Sequence, residues 1–284
     1  MRSSIPQTDD PYNEKPQSSV NRVFSILKKL PGYARNVTFS RFSYWPVGSI
    51  AGSDLHAVPT YCINLRRADV KRRLIQKQVS TLGLKNFRFI EAIDARSLDY
   101  KQVELDRRYD RQESEQYHSK GLTLNEIACS LSHRAAYEAI VSARHPVAMI
   151  IEDDALFVSR QLRRFRFSDV PADYDMVFLN SFRYREPPSG AIAGPIYDTS
   201  SYHGSAAAYL LSLEGARKLL DSSLPVIHAA DGLLGRSIAL GPGEVGHPFK
   251  QVGAKCSLSA YMCYPDCVLN GSICHYHVSD IRVP

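Results

Sequence analysis

The sequence predicts an α/β protein built on a mixed, mostly parallel sheet flanked by helices, and three observations carry that prediction. Strand-like and helix-like stretches alternate from Val58 onward. The strand-like run Val147–Ile151 is wholly apolar, as expected of a strand covered on both faces. The helical stretches carry apolar residues at i, i+3, i+4 and i+7, which gives each one face to bury.

The elements follow in order. Val58–Leu65 reads as a buried strand. The helix after it turns Val70, Leu74, Ile75, Val79 and Leu82 inward and closes at Gly83, where a left-handed residue ends a helix at least steric cost. Phe87–Ala92 is a second strand. Residues 99–120 are dense in charge and tyrosine and match neither period. Leu124–Arg144 is a long helix, with Leu124, Ile127, Ala128, Leu131, Ala135, Ala139 and Ile140 inward. Thr123 and Glu126 have the spacing of a capping box at its start, and Pro146 marks its exit. Val147–Ile151, Asp175–Asn180 and Ala206–Leu211 read as three further strands, and Glu214–Asp221 as a short helix.

Residues 58–284 are therefore expected to form a single domain, preceded by an extension, residues 1–57. The start of that extension is polar and rich in Pro, Ser, Gln and Asp, and is expected to be disordered. Asn21–Ile50 holds five basic residues and no acid, with Val20, Val23, Phe24, Leu27 and Leu30 on one helical face before Pro31-Gly32. Two readings are open for residues 20–50: a helix packed on the domain, or a peripheral contact with anionic membrane.

At 284 residues and 44% hydrophobic, the chain can bury one good-sized core. Its net charge of +6 is mild, and its basic residues are scattered without an aromatic-rich stripe, which excludes the footprint of a nucleic-acid binder. No apolar run approaches the roughly 20 residues that span a bilayer. The polar N-terminus shows no secretory signal, so a cytoplasmic location is expected, possible contact with the inner membrane face included. The six cysteines are then expected to be thiols or metal ligands rather than disulfides.

The sharpest chemical feature is Val147-Ala-Met-Ile-Ile-Glu-Asp-Asp154, where an apolar strand runs into three carboxylates. In open α/β sheets, ligands bind beyond the carboxyl ends of the strands. Adjacent acids repel one another unless a cation or solvent separates them. Alternation along an extended chain would point Glu152 and Asp154 one way and Asp153 the other. Oxygen ligands of this kind suit Mg²⁺ or Mn²⁺.

Five segments, in order, resemble glycosyltransferase family 25, the lipooligosaccharide-type sugar transferases. They are Tyr61-Cys-Ile-Asn-Leu-Arg-Arg67 with Lys71-Arg72-Arg73; Phe89-Ile-Glu-Ala-Ile-Asp-Ala95; Leu122 to His133; Ile150-Ile-Glu-Asp-Asp-Ala155; and Ala207–Leu220, followed by Asp231. The resemblance implies a GT-A-type, Rossmann-like nucleotide-binding fold. It also implies inverting transfer of galactose or glucose from a UDP-sugar to a glycan or glycolipid acceptor such as a lipopolysaccharide. A divalent metal, Mn²⁺ or Mg²⁺, is expected as cofactor. Two other functions stay open: an inactive nucleotide-sugar-binding protein, and a metal-dependent hydrolase.

Site roles follow from that reading. Glu152 and Asp154 are the expected metal ligands, with His277 as a late additional one. Asp153 is expected to hold the sugar or ribose. Asn64, Arg67, Arg73, Asp94 and His133 are the expected donor-binding residues, although the arginines also fit an exposed helix face and His133 also fits a bonded core histidine. Asp231 is the expected catalytic base, the alternative being an N-cap for a helix over Gly232–Leu240. Tyr202-His203 is a candidate acceptor pair. Cys256, Cys263, Cys267 and Cys274 lack the usual paired zinc spacing, so thiols or a zinc site remain open there.

Overall fold

A computed structural model describes residues 48–180, 189–199, 205–241, 243–245 and 248–271. The extension as far as residue 47, Tyr202-His203, and Cys274 to His277 lie outside the described residues. So do the expected membrane contact of residues 20–47 and the expected metal ligation by His277.

The strands are β1 (Thr60–Asn64), β2 (Phe87–Glu91), β3 (Val147–Glu152), β4 (Ala155–Phe157), β5 (Met176–Phe178), β6 (Ala191–Ala193), β7 (Ile196–Tyr197), β8 (Ala208–Ser212), β9 (Ala260–Cys263) and β10 (Val268–Asn270). The α-helices are α1 (Asp69–Leu82), α2 (Tyr100–Leu105), α3 (Arg111–Glu115), α4 (Leu124–Ala143), α5 (Ser159–Leu162), α6 (Leu213–Ser222) and α7 (Ala230–Arg236). Among the described residues, one eight-stranded sheet runs β2-β1-β3-β8-β5-β9-β7-β6, and β4 pairs with β10 beside it. β1 is parallel to both β2 and β3. β8 then enters antiparallel between β3 and β5, while β5 and β9 are parallel. The sheet is thus mixed, and its unbroken parallel part is β2-β1-β3. Parallel strands need long crossovers, and α1 and α4 lie in those two connections.

Alternation along each strand sorts the core into two faces. Cys62, Met149, Ile151 and Leu210 pack with Ile75, Val79 and Leu82 of α1. Tyr61, Ile63, Ala148, Ile150, Tyr209 and Leu211 pack with Tyr137 and Ile140 of α4, Leu219 of α6, and Leu233 and Leu234 of α7. Core packing starts ahead of Val58, because Ile50 and Leu55 are fully buried in the α1-side cluster.

The local signals act as their chemistry requires. Gly83 takes φ 76° and donates its amide to the carbonyls of Val79 and Ser80. Thr123 and Glu126 form the complete capping box of α4. The 99–120 stretch becomes α2 and α3, a small layer beneath the start of α4. Its tyrosines fix the turn into that helix: Leu122 donates its amide to the Tyr109 hydroxyl (2.9 Å), and the Tyr100 hydroxyl donates to the Leu122 carbonyl (3.1 Å). One helix starts earlier than expected. α7 begins at Ala230 with Ala229 as N-cap, so Asp231 lies in its first turn and does not cap it.

Candidate active site

Glu152 closes β3 opposite Ile63 of β1. Ala148 and Ile150 face α4, and Glu152 continues that face. Its Oε1 lies 3.4 Å from Nε2 of His133, a buried residue of α4. Nδ1 of His133 lies 2.8 Å from the Tyr209 hydroxyl, which is 3.2 Å from that of Tyr137. The Tyr209 hydroxyl donates to Tyr137, so its oxygen is the atom that faces Nδ1 of His133. Burial pushes the hydroxyls of Tyr209 and Tyr137 upward, so both stay neutral.

Beyond Glu152 the backbone turns, and Asp153 and Asp154 occupy the turn between β3 and β4. The alternation expected of an extended chain therefore stops at Glu152. Asp153 is turned toward α1. Its Oδ2 accepts from Asn64 Nδ2 (2.9 Å), and its Oδ1 is 3.3 Å from Nζ of Lys71. Arg72 holds Asn64 in place: its guanidinium lies over the Phe89 ring at 3.8 Å and donates to Asn64 Oδ1 (3.2 Å). Asp154 is buried, and its carbonyl accepts from the Gly271 amide (2.9 Å). Just past it, buried Gln78 of α1 donates to the Ala155 carbonyl and accepts from the Phe157 amide, both at 3.0 Å. One side chain thus completes the backbone bonding of the strand that leaves the acidic turn.

Glu152, Asp153 and Asp154 line one cleft with Lys71, Arg67, Cys129 and His133, at the carboxyl ends of β1 and β3. Arg67 is also bonded to Asp94 (2.9 Å), and Arg96 grips the same carboxylate at 2.6 Å. Those bonds, Arg96 first, hold the Asp94 carboxyl far below the usual carboxylate range. The Asp94 carboxylate is thereby committed to two arginines. Arg73 is exposed on α1 and is not among the residues lining the cleft.

Asp231 is exposed, and its Oδ1 accepts from the Gly232 amide (2.8 Å). Its apolar sequence neighbours turn inward without burying it, so its acid needs no buried partner. Asp231 is not among the residues lining the cleft. Cys256, Cys263 and Cys267 are free thiols, the last two buried.

Two residues that line the cleft, Lys71 and Cys129, and one behind it, Tyr209, had no role assigned from sequence. Lys71 lies 3.3 Å from Asp153, whereas the cations of this segment expected at the donor are all arginines. A signal existed: Lys71 and Gln78 fall in the buried stripe of α1 with Leu74, Ile75, Val79 and Leu82, and polar residues in such a stripe need partners. Cys129 sits four residues before His133, on the same helix face. Tyr209 carried no signal, because only strand pairing brings β8 beside β3.

A parallel half-sheet ending in an acidic turn is the arrangement of GT-A-like glycosyltransferases. Residues 57–234 match the model of "Glycosyltransferase family 25 (LPS biosynthesis protein)". That is more than half of the chain, which therefore belongs to glycosyltransferase family 25. It is 29% identical over 169 residues to a "Glycosyltransferase 25 family member" of Aedes aegypti, covering 57% of this chain and 27% of the relative. It is 30% identical over 172 residues to "Procollagen galactosyltransferase 1" of Danio rerio, covering 56% and 28%. It is 29% identical over 166 residues to a Rattus norvegicus relative titled "Probable inactive glycosyltransferase 25 family member 3", covering 55% and 28%. The chain thus spans less than a third of the length of these relatives. Among the described residues, no helix is long and apolar enough to cross a membrane.

Proposed function

We propose that this chain transfers a hexose, galactose or glucose, from a UDP-sugar to a saccharide acceptor with inversion at the sugar. The observation that carries the proposal is the meeting of Glu152, Asp153 and Asp154 with Lys71 and Arg67 in one cleft at the strand ends. The donor set there is carboxylate oxygen beside cationic nitrogen, which fits a hard divalent ion together with a diphosphate. Glu152 and Asp154 would hold Mn²⁺ or Mg²⁺, with His277 as a further ligand. When bound, the ion supplies positive charge that stabilises the departing diphosphate.

The remaining roles belong to the chain itself. Lys71 and Arg67 present cations to the diphosphate side of the cleft. Asp153, held by Asn64 and Lys71, is oriented to accept hydrogen bonds from a sugar or ribose hydroxyl. His133 fixes the Glu152 carboxylate from α4. Inversion needs one base for the acceptor hydroxyl and no enzyme nucleophile. Asp231, exposed at the start of α7, is the residue we assign to it. Galactose is favoured by the name of the Danio rerio relative, and a lipopolysaccharide-type acceptor by the description of the family model.

The test is UDP release from a panel of UDP-sugars, with Mn²⁺ or with EDTA, on the native chain and on Glu152→Ala and Asp154→Ala. Metal-dependent release from one sugar, lost in both variants, is expected. No release together with no metal-dependent UDP binding would overturn the proposal. The Rattus norvegicus title motivates a second reading, a donor-binding protein without transfer. Tight UDP binding without release in the presence of glycan acceptors would select that reading.

A further inference from the structure

The donor-site reading gives no task to the Cys129 thiol. Cys129 and His133 are four residues apart on α4, so they share a helix face. Their ligand atoms and a carboxylate oxygen of Glu152 all lie within 4.8 Å of one another. Zinc bonds of about 2.3 Å to sulfur and about 2.0–2.1 Å to nitrogen and oxygen place tetrahedral ligands about 3.3–3.6 Å apart. The His133–Glu152 pair, at 3.4 Å, already has that spacing. All three residues line the cleft, so a fourth coordination position would open toward the donor.

We propose that Cys129, His133 and Glu152 form a second cation site, selective for a thiophilic divalent ion such as Zn²⁺, and that filling it inhibits transfer. The inhibition rests on the donor-site reading above. A thiolate and an imidazole favour zinc, whereas the all-oxygen set of Glu152 and Asp154 favours Mg²⁺ or Mn²⁺. Glu152 belongs to both sets. An ion bound to Cys129 and His133 therefore withdraws Glu152 from the donor.

The surroundings of His133 suit ligation. To bind through Nε2, the ring must carry its proton on Nδ1. The Tyr209 oxygen, 2.8 Å away, can accept that proton while its own hydroxyl turns to Tyr137 at 3.2 Å. With the Tyr209 hydroxyl donating to Tyr137, the ring tautomer that carries its proton on Nδ1 leaves Nε2 as a metal ligand while the other nitrogen stays bonded. Binding also releases the thiol proton of Cys129.

The nucleotide-free protein would be titrated with Co²⁺ and then with Zn²⁺, followed by absorption. The expected result is a thiolate-to-cobalt charge-transfer band that Zn²⁺ abolishes. The band should vanish in Cys129→Ser and in Cys129→Ala, with the fold of each checked by circular dichroism. Tyr209→Phe should keep the band and weaken the zinc affinity about tenfold, through the lost support of His133. In a second arm, UDP release with Mn²⁺ is measured against rising Zn²⁺, each variant scaled to its own zinc-free rate. The half-inhibiting Zn²⁺ concentration should rise at least about tenfold in Cys129→Ser. No thiolate band, or a band unchanged in both Cys129 variants, would overturn the site. A band without inhibition of the active enzyme would overturn its inhibitory role. Absence of UDP release under every condition would count against the donor reading alone, since the cobalt spectrum decides the site independently.

Discussion

Lys71 and Arg73 are two residues apart on α1 and face opposite environments. Lys71 is buried against Asp153, whereas Arg73 is exposed. Lys71→Met should weaken UDP binding about tenfold or more, the worth of one charge-assisted hydrogen bond. Arg73→Met should leave it unchanged, and titration calorimetry on both variants measures the contrast. His228 offers a different residue-scale outcome. It is buried, its Nδ1 lies 3.1 Å from Nε2 of His118, and its Nε2 lies 3.1 Å from the Gly253 carbonyl. Burial first, with help from Arg236, His118 and Lys255, depresses it to about 4 from its usual 6.5. The unfolded chain therefore binds the extra proton between those values. This contribution to stability is full above the unfolded value and is lost as pH falls toward 4. Melting temperature should drop between pH 7 and pH 5, and by less in His228→Gln.

At the scale of elements, helix–sheet approach is set by single residues. A Cβ on Gly215 of α6 would stand 2.5 Å from the backbone carbonyl oxygen of Asp175, just before β5. Backbone cannot yield as a side-chain tip can, so Gly215→Ala should cost about 1–3 kcal/mol despite the helix propensity of alanine. Gly232 of α7 is the control, since its Cβ would meet only the Cβ of His228 at 3.7 Å. Gly232→Ala should be neutral or stabilising by up to about 1 kcal/mol, as urea unfolding would show. Elements with a single burial pattern were legible: α1, α4, β1 and β3 follow from apolar periodicity, a capping box and a closing glycine. The short strands β4, β6, β7, β9 and β10 were not. Two to four residues hold too little periodicity, and apart from the β6–β7 hairpin their pairing partners are distant in sequence.

At the scale of the whole molecule, the cleft proposed for the donor joins the ends of β1 and β3 to the faces of α1 and α4. A ligand there touches elements drawn from residues 63–154. Binding to the folded state alone should raise global stability, by about 2.7 kcal/mol at a ligand concentration of 100 times Kd. UDP with Mn²⁺ should therefore raise the melting temperature of the native chain, and should fail to do so in Glu152→Ala. A shift that persists in that variant would place the nucleotide elsewhere.

The sequence by itself determined the strand and helix frame, the family, and the acidic run on a strand end, because periodicity, caps and motif order are local properties. It also carried the side chosen by Glu152, since Ala148, Ile150 and Glu152 alternate together. Only the tertiary structure decided which partners those acids meet. Asp153 turned to Lys71 and Asn64 because the chain bends after Glu152. Asp231 came out exposed because α7 begins one residue before it. Cys129, His133 and Glu152 converged, with Tyr209 behind them, because α4 packs across β3 and β8. Side-chain partnership depends on which faces meet in space, and no local pattern encodes that.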